Sequence, residues 1–148
     1  MAKKRSQRLE VVRAVAERKR QEAERFLADA QQRVEQGEQG ILKLQQYLGE
    51  YQQQFTRTGQ QGLSIGALHS QQAFMHKVNS TIQAQEQALV QARDQLQQVR
   101  AHWQQMYAKE RGIEELIRKA RENEMRQADK QLQQEIDERS QHRRPQYI

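Results

Sequence analysis

Cysteine is absent from this 148-residue chain, which excludes a disulfide framework and a cysteine-ligated zinc site and agrees with a reducing compartment. Proline occurs once, at Pro145, so no proline can break a helix before the last residues. Aromatic residues make up 5% of the chain and hydrophobic residues of all kinds 35%, too little for a thick globular core. No run approaches the roughly 20 apolar residues that span a membrane. The basic start, Met1 to Arg5, is followed by Ser6-Gln-Arg-Leu-Glu10 where a signal peptide would carry its apolar segment, so the chain reads as cytoplasmic. What remains is polar: thirty glutamines and 30% charged residues fill about half the sequence, the composition of long solvated helices.

The net charge of +6 is concentrated. Residues 1–20 hold eight Lys/Arg against two Glu, a balance of +6, whereas 21–57 carry −2, 58–108 carry +1 and 109–148 carry +1. Such an end suits nucleic acid, anionic lipid or an acidic protein surface, and charge alone does not choose among them.

From Leu9 the apolar residues fall at Val12, Ala16, Ala23, Phe26, Ala30, Val34, Ile41, Leu44, Leu48, Tyr51 and Phe55, mostly at alternating steps of three and four. This predicts a helical seam over about 5–57, with Lys19 in the seam and a stutter at Phe26, Ala30 and Val34. Gly37, Gly40 and Gly49 soften the helix by about 1 kcal/mol each without ending it. The Gly-rich stretch 58–66 marks a hairpin, and Ser64 is placed to cap a second helix over about 65–140. Its seam runs through Leu68, Met75, Val78, Ile82, Leu89, Ala92, Leu96, Val99, Trp103, Met106, Ile113 and Ile117, with Gln72, Gln85 and Glu110 as polar members.

The expected fold is all-α: one antiparallel two-helix coiled-coil hairpin over 1–148, its second helix the longer, roughly 110 Å against 75 Å. A loop centred near residue 61 pairs residue i with about 122 − i, so Leu9 faces about Ile113. Helix 2 then outruns helix 1 beyond about Ala120, and Met125, Ala128, Leu132 and Ile136 form a thin stripe that either meets a partner or frays in solvent. Residues 141–148 carry no pattern and are expected to be disordered.

Two paired helices offer almost no interior in which to hold catalytic groups, so the sequence argues against an enzyme and names no catalytic residue. There is no Gly-Lys-Ser/Thr phosphate loop or dinucleotide turn. His69 and His76 lie seven apart with no acid between them, and His102 has no carboxylate placed for a dyad, so neither a metal nor a cofactor is expected. Trp103 reads as seam packing. Tyr47 and Phe74 sit one position outside the seam on the two helices and meet at one level, extended by Leu44, Tyr51 and Val78. They either thicken the core near the turn or form an exposed docking patch.

The basic N-terminus, Tyr47 and Tyr51 on the first helix, the Gly-rich hairpin, Gln71-Gln-Ala-Phe74, and Trp103 followed by Lys109 and Glu115-Leu116 together resemble the flagellar export protein FliJ family over nearly the whole chain. The resemblance implies a non-enzymatic antiparallel coiled coil similar to the γ-subunit stalk of rotary ATPases. It further implies partners: the hexameric flagellar export ATPase, the cytoplasmic domain of the membrane export gate, and export chaperones. No small-molecule substrate is implied, and the place of work is the cytoplasmic face of the inner membrane.

The family's gate-binding surface falls here on Gly40, Leu44, Tyr47, Tyr51, Phe74, Val78, Thr81 and Gln85, of which Gly40, Thr81 and Gln85 depart from the family's glutamine, alanine and histidine. By the same analogy Arg5, Arg8, Leu9, Val12 and Arg13, with Arg118, Lys119 and Arg121, would contact the ATPase ring. Charge reversal at Arg5, Arg8 and Arg13 would then abolish ATPase stimulation.

The free protein is expected to be a monomer. Rival readings are the stalk of a virulence-type secretion ATPase, a homodimeric coiled coil paired through the overhang, and a basic scaffold for nucleic acid or acidic protein surfaces. Nucleic acid has little support beyond charge, since no aromatic residue precedes Phe26 to stack bases.

Overall fold

In the computed structural model residues 2–143 are described, and they form two α-helices, α1 (Arg5–Gly59) and α2 (Ile65–Arg143), with no strand among them. The second helix is the longer, 79 residues against 55. The protein is therefore an all-α helical hairpin with coiled-coil packing. No helix among the described residues is long and apolar enough to cross a membrane.

The turn between the helices is built from local hydrogen bonds. The Thr56 and Thr58 hydroxyls donate back to the carbonyls of Gln52 and Gln54, each at 2.9 Å. The Gln61 and Gly62 amides then close tight turns onto Thr58 and Gly59. Gly62 has φ +91°, a left-handed conformation that a Cβ would strain, which is why glycine stands there. Ser64 caps α2: its hydroxyl accepts the Ala67 amide at 3.2 Å while its carbonyl accepts the Leu68 amide at 3.1 Å. Helix α1 thus runs to Gly59, two residues past Arg57, because the threonine back-bonds keep its last turn closed.

Gln141, His142 and Arg143 are helical rather than part of a patternless tail, since neither glycine nor proline interrupts the chain from Ile113 to that point. The remaining residues of the expected tail, 144–148, lie outside those described.

Contacts divide the chain into two compact units: unit 1, Met1–Glu22 with Gln104–Ile148, and unit 2, Ala23–Trp103. In unit 2 the core is apolar. Ile41, Val78, Ile82 and Leu89 are buried together, and Val34, Leu44, Leu48 and Phe74 pack against them. Each such aliphatic side chain contributes about 1.5–3 kcal/mol by leaving water. Gly37 belongs to this packing: a Cβ there would come within 3.1 Å of Leu89 Cδ1, so glycine lets the helices approach. In unit 1 the interface is different in kind. Alongside Ala16, Ile117 and Ala120, the buried residues include Ser6 and Glu110.

The seam on α1 departs from the apolar reading. In unit 1 the residues turned inward are Ser6, Leu9, Glu10, Arg13, Ala16 and Arg20, while Val12 is 50% exposed and Lys19 is exposed. In unit 2 Leu27 is half-buried and Phe26 is 54% exposed, so Ala23, Leu27, Ala30 and Val34 continue at steps of four, three and four without a stutter. On α2 the buried glutamine is Gln71 rather than Gln72, and Leu68 is exposed. The inferred α1 seam was shifted by one position at Val12 and Lys19, where the charged neighbours Arg13 and Arg20 turn inward, and at Phe26, where Leu27 does.

The pairing also differs from the expected register. In unit 1 Ser6 meets Glu124 and Arg20 meets Glu110, so facing residue numbers sum to 130 in each pair rather than 122. In unit 2 Glu38 meets Arg93 at 3.2 Å, a sum of 131. Leu9 therefore stands level with about residue 121 rather than Ile113, and the residues of α2 without a facing segment of α1 begin after Glu124 rather than at Ala120. Interlocking of the two seams sets this register, and the midpoint of the loop does not.

Candidate functional site

Unit 2 carries an aromatic cluster close to the hairpin. The rings of Tyr51 and Phe74 lie 4.5 Å apart between centroids, tilted by 46°, and Tyr47 meets Phe74 edge-on at 6.2 Å and 66°. Both geometries are among the favoured arrangements of aromatic pairs. Helix α1 supplies the two tyrosines four residues apart, hence on one face, and α2 supplies the phenylalanine opposite them.

Exposure divides the expected gate-binding residues by role. Tyr47 is 54% exposed; Leu44, Tyr51 and Phe74 are half-buried. Val78 is buried in the core and supports the patch from beneath without reaching its surface. The cluster therefore thickens the core at Phe74 and leaves a ring exposed at Tyr47. Of the rim residues, Thr81 donates its hydroxyl to the Lys77 carbonyl at 2.9 Å within its own helix. Gly40 and Gln85 line a shallow groove with Gly37 and Ala88. Trp103, half-buried, donates its indole N–H to Glu24 at 3.4 Å.

Unit 1 carries the charged candidates, and the structure separates them. Arg13 is half-buried, paired with Glu10 at 3.5 Å and Glu114 at 3.6 Å, and its Nε is buried without a hydrogen-bond partner. The Glu10 hydrogen bond raises the Arg13 pKa, holding the guanidinium charged. Arg121 pairs with Glu10 at 2.6 Å. Arg118 is clasped by Glu115 at 2.5 Å and Glu122 at 2.6 Å, which pushes its pKa up while its hydrogen bond to Glu115 lowers that carboxylate's. Arg5, Arg8 and Lys119 are exposed and form no ion pair among the described residues; Leu9 is half-buried. Arg13 thus belongs to the helix–helix interface. Its charge reversal would test the hairpin and not a partner.

Apolar periodicity did not reveal Glu124 or Arg20, while Glu110 is buried as its seam position required. Glu124 accepts the Ser6 amide at 3.0 Å on one oxygen and the Ser6 hydroxyl at 2.8 Å on the other, fastening the start of α1. Arg20 and Glu110 form an ion pair inside the interface, their side chains 20% and 11% exposed. Their seven-residue spacing from Arg13 and Ile117 was the available signal.

The Ser6 clamp is expected to respond to acid. Its amide and hydroxyl, with Lys4 and Arg121 nearby, lower the Glu124 pKa below the usual glutamate value. A depressed carboxylate pKa means the contact is fully present above the unfolded value of about 4.3 and is lost as pH falls through the lower folded value. The Ser6 amide resonance should therefore titrate with a midpoint below that of an ordinary glutamate, and Glu124→Gln should abolish the titration. A Ser6 amide that titrates unchanged in the variant would refute the assignment.

Among the described residues no group of three His, Cys, Asp or Glu is placed to hold a metal ion. A family model described as Flagellar FliJ protein matches residues 5–145. No curated relative and no solved structure matches the chain.

Proposed function

The chain belongs to the flagellar FliJ family and is a flagellar export-related protein; from that membership we propose that it is a non-enzymatic stalk and adaptor of the export apparatus. Unit 1 engages the centre of the hexameric export ATPase, and the aromatic cluster of unit 2 docks on the cytoplasmic domain of the membrane export gate. It also escorts export chaperones, and it works in the cytoplasm at the face of the inner membrane.

The observation that carries this reading is the Tyr47, Tyr51 and Phe74 cluster, three rings from both helices gathered into one patch with Tyr47 exposed. Exposed aromatic groups resting on a packed base are the usual anchors of protein docking. The basic first twenty residues supply a second, chemically distinct end. Neither end holds an array of groups suited to chemistry, so the contribution to ATP turnover is contact: cations and shape presented to a ring whose subunits carry out the hydrolysis.

The deciding experiment is ATP hydrolysis by the purified flagellar export ATPase with and without this chain, followed together with ring assembly. Stimulation accompanied by assembly is the expected result. No stimulation at either low or moderate salt would sink the stalk reading.

A further inference from the structure

The two flanks of the helix–helix interface in unit 1 differ in charge. On one, Glu10 and Arg13 share a groove with Glu114, Arg118 and Arg121, and ion pairs to Glu10 and Glu114 neutralise Arg13 and Arg121. The other flank receives Arg5, Val12 and Lys19 from α1 at seven-residue spacing, and Lys109, Leu116 and Asn123 from α2 at the same spacing. Its groove is lined in part by Arg5, Leu116, Lys119 and Asn123. On α2, every residue met at alternating steps of four and three from Gln105 to Lys130 along this flank is neutral or cationic.

The register places like against like. Arg20 faces Glu110, so the residues one position earlier on each helix, Lys19 and Lys109, stand level on this flank, and one heptad along Val12 stands level with Leu116. Neither lysine forms an ion pair among the described residues, nor do Arg5 and Lys119. Val12 is 50% exposed and Leu116 44% exposed beside them. A fold gains nothing from facing lysines with no anion between them, and such an arrangement becomes favourable when an outside carboxylate settles there. The neighbouring apolar pair adds a site for an aliphatic group.

We propose that this flank docks an acidic polypeptide segment bearing an aliphatic side chain, its carboxylates set between Lys19 and Lys109 and toward Arg5 and Lys119, its aliphatic group on Val12 and Leu116. A phosphodiester backbone would meet the cations but leave the apolar pair in water, and among the described residues no aromatic lies on this flank to stack a base. The opposite flank, neutralised internally, holds the hairpin together. In taking the export ATPase as the source of the segment, the proposal rests on the function above; the surface itself rests on charge and exposure.

The test measures binding of the full chain to three immobilised probes: the purified export ATPase, poly-L-glutamate and a short DNA duplex. Lys19→Glu with Lys109→Glu exchanges one like-charged pair for another, so the fold meets no new kind of repulsion. This double reversal should lose about tenfold or more of the affinity for the ATPase and for poly-L-glutamate. The same charge change at Arg25 and Arg100, exposed residues of unit 2, should lose far less. Val12→Ser with Leu116→Ser should weaken ATPase binding without altering its salt dependence. Wild-type affinity in the Lys19/Lys109 reversal overturns the proposal. If the wild-type chain fails to bind the ATPase, the stalk reading fails, while poly-L-glutamate binding lost in the reversal still upholds the flank. Poly-L-glutamate binding indifferent to the reversal, or a preference for DNA, overturns it.

Discussion

Phe74→Ala is expected to reduce binding to the cytoplasmic domain of the export gate by more than any other single change, and to destabilise unit 2 at the same time. Phe74 touches both tyrosine rings and packs against the buried Ile41, Val78, Ile82 and Leu89 cluster. A fully buried phenylalanine truncated to alanine costs about 3–5 kcal/mol; at a half-buried position about 2 kcal/mol is expected. Lost stability and lost docking must therefore be separated. Tyr47→Ala achieves this, because Tyr47 is 54% exposed and outside the buried cluster, so its truncation should leave urea unfolding nearly unchanged, within about 0.5 kcal/mol. If the patch is a docking anchor, Tyr47→Ala still costs about 2 kcal/mol of binding, roughly thirtyfold. Wild-type gate affinity in Tyr47→Ala, with Phe74→Ala failing only in proportion to its loss of folded protein, would reduce the cluster to a thickened core.

The hairpin and the aromatic cluster were legible in the sequence because both rest on residues whose local chemistry is specific. Glycines bracket the turn, Ser64 stands where a cap is needed, and Tyr47, Tyr51 and Phe74 break a surface of glutamine. The α1 seam was less legible because it is not uniformly apolar. Val12 and Phe26 attract attention as hydrophobic residues, yet the interface takes Arg13, Arg20 and Leu27. The alanines at 16, 23 and 30, exactly one heptad apart, held the correct phase. Extending that seven-residue period in both directions, regardless of polarity, would have placed Arg13 and Arg20 as neighbours of the seam alanines. The charged residues of unit 1 were hardest to read. Which arginines are neutralised depends on the register between α1 and α2, and a slip of one helical turn rearranges every pair.

Arg20→Leu is the second change with a large expected effect, and its outcome should depend on what stands at position 110. Glu110 is buried in the interface with its side chain 11% exposed, and Arg20 is its ion-pair partner. Removing the cation leaves a carboxylate with little water and no opposite charge, an arrangement that costs about 3–5 kcal/mol when burial is complete and about 3 kcal/mol here. Arg20→Leu combined with Glu110→Leu removes both charges and places two aliphatic groups in an interface that already holds Ala16, Ile113, Ile117 and Ala120. That double variant should recover the loss and can exceed wild-type stability, because neither charge must then be desolvated. The expected deficit of the double variant is in register. At present a one-heptad slip sets Arg20 against Ile117 in one direction and Ile117 against Ser6 in the other, and a buried charge opposes the first. With leucine at both positions the first of these pairings becomes an apolar contact and loses that penalty. Urea unfolding followed by circular dichroism measures the stability of the three chains. A paramagnetic label at position 8 with relaxation read along α2 measures the register. Equal destabilisation by the single and double variants would show that the pair contributes net stability; equal relaxation profiles in wild type and double variant would show that register is held elsewhere, with the Ser6–Glu124 clamp the next residue pair to exchange.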